Sequence, residues 1–244
     1  MPSPAVRSLA RSPAPAVGHH EQVAPTDRSR RSRLAAADQA LSAADPVMAG
    51  LVGGFGPSAL PLRRVPGGHF ASLARAILYQ QLAGKAAFAI HSRFLALFDG
   101  GTPTAEAVLA LPDSALRGAG LSGSKAASIR DLAEHVADGR LRLDDLSRRT
   151  DEEVIERLVA VRGIGRWTAE MFLMFTLGRL DVWPVDDYGV RTGYARAHGL
   201  KEIPKPKDLV GLGERYRPWR SVAAWYCWRA AELYAGAADS ALTR

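Results

Sequence analysis

Phe70, Leu73, Ala74, Ile77 and Leu78 recur at the i, i+3, i+4, i+7, i+8 spacing of a single helix face, and this period governs the chain. Ile129, Leu132, Ala133 and Val136 repeat it. Thr150 followed by Glu153 is a capping box: hydroxyl and carboxylate each satisfy a backbone amide at a helix start. It announces a helix through Val154, Ile155 and Leu158. A last helix is predicted from about 221 to 234, with Val222, Trp225, Tyr226 and Arg229 on one side. Hardly any stretch alternates with the period of two that a half-buried strand requires. Residues 51–66 have room for a short extended piece but for no sheet. An all-α domain is therefore expected from about 35 to 240. Its loops are GGFGPS (53–58), FDGGTP (98–103), GAGLSG (118–123) and IPKPK (203–207), and no solenoid repeat is visible.

Residues 1–34 are Pro, Ser, Ala and Arg with almost nothing large to bury. They read as a disordered basic tail rather than an organellar transit peptide. Residues 1–33 hold six Arg and two acids, so they supply +4 of the formal +7. Residues 191–220 carry eight Lys or Arg against three acids, a basic segment suited to a polyanion. The single cysteine, Cys227, excludes an intramolecular disulfide, a cysteine-rich zinc site and a four-thiolate iron–sulfur cluster. Outside the pair His19 and His20, no histidine has a partner at metal-ligand spacing. No apolar run approaches the ~20 residues of a membrane span, and no secretory h-region is present. A reducing cytoplasm is expected, with no membrane partner.

The helix over 150–160 runs into Val161-Arg162-Gly163-Ile164-Gly165, and a second helix is predicted from about Arg166. Glycine tolerates the positive φ of a sharp turn, and Ile164 can plug that turn into the helix pair. Amides at the start of the second helix lack intrahelical partners. They offer a dipole-reinforced seat for a DNA phosphate. Alone, the motif fits an ordinary αα-hairpin equally well.

Its context carries more. LVAVRGIGRWTA (158–169), the loop GRLDVWPV (178–185) and Asp187-Tyr188-Gly189-Val190-Arg191 together resemble the helix-hairpin-helix DNA glycosylases. ARAILYQQLAGKAA (74–87), LSGSKAASIRDLAEHV (121–136) and RPWRSVAAWYCW (217–228) are similar to the alkylpurine, or 3-methyladenine, glycosylase II branch. The resemblance covers about 70–230 and implies a two-lobed helical domain over 35–240, its hairpin at 150–177, with a cleft between the lobes. The larger bacterial members carry an N-terminal β-rich domain. About 35 ordered residues before Phe70 are too few for it, which leaves the breadth of the pocket open. Bifunctional members place a nucleophilic lysine two residues after the second hairpin glycine. Here that residue is Trp167, and an indole is no amine nucleophile, so a monofunctional enzyme without strand-cleaving lyase activity is implied.

The resemblance puts the catalytic carboxylate at Asp187, with Asp186 expected to cap the following helix. Breaking an N-glycosidic bond builds oxocarbenium-like charge on the sugar, which a fixed carboxylate in a dry site stabilises. Trp228 matches the family's stacking tryptophan, and Trp167 and Tyr188 line the same cleft by resemblance. An indole face suits a cationic alkylated purine flipped out of the duplex. Trp183, Trp219 and Trp225 read as packing. Gln81 is the expected wedge in the gap left by the flipped base, within the Gln80-Gln81-Leu82 turn, with Leu82 as the apolar alternative. DNA contacts are assigned to Gly163, Ile164, Gly165, Arg166 and Thr168 of the hairpin, and to Lys201 and Arg220. Hairpins of this family often hold a monovalent cation on backbone carbonyls, here those of 161–166; no other metal and no cofactor is implied. The expected partner is double-stranded DNA with alkylated bases, bound by a monomer. Two other readings stay open at this point: a non-catalytic DNA-binding module using the hairpin as a phosphate clamp, and a sister glycosylase for deaminated, oxidised or mismatched bases.

Overall fold

The computed structural model describes residues 27–61, 66–82 and 84–242. Among them there is no strand, and twelve α-helices follow one another: α1 Asp27–Ala44, α2 Pro46–Phe55, α3 Gly68–Tyr79, α4 Gly84–Leu95, α5 Ala105–Ala110 and α6 Asp113–Gly118. After these come α7 Gly123–Ala137, α8 Asp151–Val159, α9 Arg166–Phe172, α10 Tyr188–Ala197, α11 Pro206–Gly213 and α12 Arg220–Leu242. No described helix is long and apolar enough to cross a membrane.

The stripe on α3 is buried as its period requires, with Leu73 and Leu78 fully enclosed. Each such leucine contributes about 1.5–3 kcal/mol of transfer free energy. The capping box forms with both of its bonds: the Thr150 amide donates to Glu153 Oε2 at 2.8 Å, and the Glu153 amide to Thr150 Oγ1 at 3.3 Å. α8 then buries Val154, Ile155 and Leu158, as the pattern predicts.

Two expectations are corrected. The first helix begins at Asp27 rather than 35, because Leu34 is already in the core and Arg30 donates to the Leu60 carbonyl at 2.9 Å. The tail expectation for residues 1–26 lies outside the described residues. Gly53, Gly54 and Phe55 are not loop; they end α2, which stops at Gly56 with φ +77.

The two ends of the described chain meet in one lobe, where α1 and α2 pack on α12. Two buried acids tie this region together, Asp38 to α12 and Asp45 to the turn before α12 and to the end of α10. Asp38 accepts the Tyr226 hydroxyl at 2.9 Å and the Ser58 amide at 2.9 Å. Asp45 caps α2 through the Val47 amide, and also accepts the Tyr216 hydroxyl at 2.6 Å and His198 Nε2 at 3.0 Å. Burial alone raises the Asp45 carboxyl. Hydrogen bonds from Tyr216, His198 and the Val47 amide outweigh it and hold the group below its usual value.

Within that lobe α10 crosses α12 at glycine distance. A Cβ on Gly193 would lie 1.7 Å from the Cys227 carbonyl oxygen, so no side chain fits between the two backbones. This close approach brings the N-terminus of α10 to Trp228 of α12. The other lobe is built from α3 to α8, and α9 connects the two.

Candidate active site

The hairpin turns at Gly163, whose φ is +79; a Cβ there would sit 2.5 Å from Ser128 Oγ of α7. Gly165 has φ −90, so only the first glycine is required for its backbone angle. Gly165 is instead the N-cap of α9. It supplies no side-chain cap, and open space lies where its Cβ would be. The amides opening α9 therefore face outward past an unobstructed backbone. Ile164 is buried and plugs the turn. The Arg162 amide donates to Asp131 Oδ2 at 2.7 Å, tying the hairpin to α7. The carbonyls of Val161, Gly163 and Gly165 already accept from Ile164, Gln80 and Ala169, and among the described residues no His, Cys, Asp and Glu cluster suits a metal ion.

α9 leads from the hairpin into one π turn, Leu173–Leu177, ended by Gly178 in the left-handed conformation. The wider turn shifts the register so that Met171, Phe172, Phe175 and Thr176 all line a single cleft of about 770 Å³. Ser72, Arg75, Ala76, Tyr79, Gln80 and Gln81 form its other side. Thr176 and Ser72 hydroxyls meet at 2.7 Å across it.

Asp187 closes the cleft. It is 8% exposed and accepts three N–H bonds: from Trp167 Nε1 to Oδ2 at 2.7 Å, from Trp228 Nε1 to Oδ1 at 2.9 Å, and from the Val190 amide to Oδ1 at 2.8 Å. A carboxylate has about four lone-pair sites, so one direction is left for a ligand. The Val190 bond makes Asp187 itself the N-cap of α10. That corrects the assignment of the cap to Asp186, which lies exposed one residue outside the helix. Gly189 leaves room for this clamp: a Cβ there would lie 2.9 Å from Trp228 Cδ1 and 3.2 Å from Asp187 Oδ1. Trp228 also stacks on Phe175, ring centroids 5.8 Å apart at 27°.

The structure thus brings together Asp187, Trp167 and Trp228, with Gln80 and Gln81 on the facing rim. Tyr188 is not brought in; as the first residue of α10 it points away and is 67% exposed. Gln80 turns inward, its amide donating to the Gly163 carbonyl at 2.9 Å and to Thr168 Oγ1 at 3.2 Å, so Gln80 and the buried Thr168 hold α3 to the hairpin. Gln81 and Leu82 are exposed at the rim, Gln81 with φ +54. Lys125 Nζ fixes that turn by donating to the carbonyls of Leu78 at 2.6 Å and Gln80 at 2.8 Å.

Two candidate phosphate contacts are already engaged. Arg166 forms a two-pronged pair with Glu152 at 2.7 and 3.1 Å and reaches Glu170 at 3.2 Å. Arg220 is fastened to Asp181 at 2.7 and 3.0 Å and to the Asp181 carbonyl at 2.8 Å, so its guanidinium latches α12 to the loop after the π turn. Lys201 follows the C-terminal end of α10, about 15 Å of helix away from Asp187. Trp183 is buried and donates to the Leu209 carbonyl at 2.9 Å, as expected of a packing residue.

The pattern characteristic of HhH-GPD superfamily base excision DNA repair proteins matches residues 74–216, which is more than half of the chain. The chain belongs to the HhH-GPD superfamily. Trp228 lies beyond the matched segment. DNA-3-methyladenine glycosylase 1 of Schizosaccharomyces pombe is 38% identical over 185 residues, covering 75% of this chain and 80% of that protein. The solved structure of the 3-methyladenine DNA glycosylase Mag1 from the same yeast, in complex with abasic DNA, superposes with a TM-score of 0.71. It is 35% identical and covers 81% of this chain and 97% of that one. The DNA-3-methyladenine glycosidase of Bacillus halodurans gives a TM-score of 0.75 at 38% identity, over 82% and 91% of the two chains.

Several lining residues of this HhH-GPD cleft were not picked out by motif. Ser72, Arg75, Ala76 and Tyr79 occupy the face of α3 opposite its buried stripe, so the stripe itself implied them. Phe175 gave no such signal, because MFLMF is apolar at every position and only the π turn decides which ring enters the cleft.

Proposed function

We propose that this protein is a monofunctional DNA glycosylase that hydrolyses the N-glycosidic bond of alkylated purines, of the 3-methyladenine and 7-methylguanine type, in double-stranded DNA. The observation that carries the reading is Asp187, held by two indole N–H groups and an amide at the edge of an aromatic cleft. A positioned carboxylate there stabilises positive charge on the deoxyribose as the base departs, and orients the attacking water. The alkylated base already carries a ring charge, so departure needs no strong general acid. Trp228, Trp167 and Phe175 give the flipped base an aromatic surround. Gln81, exposed on a turn with positive φ, fills the place the base has left, with Leu82 beside it.

The duplex rests on the outward amides of Gly165, Arg166 and Trp167, which take a phosphate without reading sequence. Action as a monomer belongs to the same reading. The single, buried Cys227 suits a reducing cytoplasm, where chromosomal DNA is the substrate. Trp167 in place of an amine supports hydrolysis without a covalent enzyme–sugar intermediate.

Free-base analysis after incubation with alkylated duplex DNA tests this. The protein is expected to release methylated purines and to leave the resulting abasic strands uncut. Absence of base release, or strand cleavage at the abasic site, contradicts the reading.

A further inference from the structure

Among the described residues lining the cleft, two carry a full charge, Asp187 and Arg75. Arg75 reaches it from α3, one turn before Tyr79, and its guanidinium carbon lies 4.0 Å from the centre of the Tyr79 ring. Tyr79 is braced in turn by His91, edge to face at 5.7 Å. Cation–π contact and the brace hold the charge in place. Among the described residues no carboxylate lies within ion-pair distance of Arg75. Burial, with the charge of Arg75 as a second cause, holds the His91 imidazole below its usual range, so the field of this cation reaches its neighbours.

We infer that Arg75 is the electrostatic counterpart of Asp187: it stabilises the electron pair that the departing base takes, and in doing so sets which damaged bases are bound well. The inference rests on the glycosylase reading above. In that reaction the C1′–N bond breaks and its electron pair leaves on the base nitrogen. Water adds its oxygen to C1′, and its proton goes to the base or to solvent. A cationic 7-methylguanine goes from +1 to neutral; a neutral purine such as hypoxanthine goes from neutral toward −1. In both cases the base becomes more negative by one charge, which a fixed cation at the base favours, while Asp187 favours the positive sugar. Binding differs between the two. Arg75 repels a base that arrives positively charged and leaves a neutral base unaffected. The same side chain therefore speeds bond breaking for both lesions and weakens affinity for one.

The test compares wild type, R75M and R75K in single-turnover reactions on duplexes holding one 7-methylguanine or one hypoxanthine. Rate and half-saturating enzyme concentration are measured for 7-methylguanine, and duplex affinity for both lesions. Methionine keeps an apolar stem of similar reach without the charge. For R75M, 7-methylguanine release is expected to slow about tenfold while its half-saturation tightens severalfold. Affinity for the hypoxanthine duplex is expected not to tighten. R75K, which keeps the charge, restores most of the rate. An unchanged rate in R75M, or the same change in affinity for both lesions, overturns the inference and leaves the glycosylase reading intact. Wild-type protein that releases no 7-methylguanine overturns both. A merely structural role of Arg75 predicts loss of rate and weaker binding on both duplexes together with a lower melting temperature, and that result counts against the inference.

Discussion

Trp167 donates its indole N–H to Asp187 Oδ2 at 2.7 Å, across twenty residues and two helices. Its partner on the other oxygen is the indole of Trp228, so the carboxylate is gripped from both sides by rings that also wall the cleft. On the proposed reading, Trp167 holds the carboxylate that acts on the sugar, at the position where the resemblance puts an amine nucleophile in bifunctional members. Trp167 is 44% exposed, which leaves it room to shift when a base enters.

Replacing Trp167 by Phe keeps a ring in the cleft wall and removes the donor. A hydrogen bond to a charged group is worth about 1.5–3 kcal/mol, so base release should fall by about 10- to 100-fold. Duplex affinity should change little. Single-turnover excision beside a binding titration checks this, and a normal rate would show that Trp228 and Val190 suffice to hold the carboxylate.

Lys125 should matter more on duplex than on single strands. Its ammonium caps the C-terminal carbonyls of α3, and burial keeps its pKa below that of an ordinary lysine. Lys125→Met frees the turn that carries Gln81, so the flipped state loses support. Excision from a duplex is expected to drop severalfold more than excision from a single-stranded oligonucleotide of the same sequence. Equal losses on the two substrates would assign Lys125 to stability alone.

Gly193 and Gly50 make an opposed pair. Alanine at Gly193 pushes a methyl group into the Cys227 carbonyl, and the α10–α12 contact must open; a loss of at least ~3 kcal/mol is expected. Alanine at Gly50, inside α2 with nothing near its Cβ, should gain up to ~1 kcal/mol. Denaturant unfolding of both variants measures the difference.

Glu170 gives stability a pH dependence. It is 3% exposed, Oε2 has no partner, and burial pushes its pKa up to about 7 against the pull of Arg166. A raised carboxyl favours folding most below its unfolded pKa of about 4.5 and loses that advantage as pH rises through 7. The shift corresponds to about 3 kcal/mol at most. Wild type should therefore lose stability relative to Glu170→Gln between pH 4.5 and 7.5, read as converging then crossing melting curves. Parallel curves would show Glu170 ionised throughout.

The helical class and the α3 and α8 faces could be read from the sequence because burial follows a simple period there. Leu73 and Leu78 vanish into the core where the spacing puts them, and Thr150 and Glu153 close their box. The partners of charged side chains were not legible. Arg166 and Arg220 read as phosphate ligands, while Glu152 and Asp181, 14 and 39 residues away in the chain, give no hint in the sequence that they pair with them. The joining of α1 to α12 through Asp38, and of α2 to the turn before α12 through Asp45, was equally hidden, since the tyrosines that satisfy them lie more than 170 residues on. Of the adjacent aspartates, the cap fell to the second because the loop from Pro184 turns Asp187, not Asp186, over the Val190 amide.

Asp187→Asn is the most direct test of the account. Asparagine caps a helix as well as aspartate does, so α10 and the fold should survive, as a melting curve will report. Single-turnover release of 7-methylguanine from a defined duplex should fall by about 10²–10³-fold or more, with duplex affinity retained. Release at a rate near that of the wild type would mean that the charge at position 187 does no chemistry, and the account would fail.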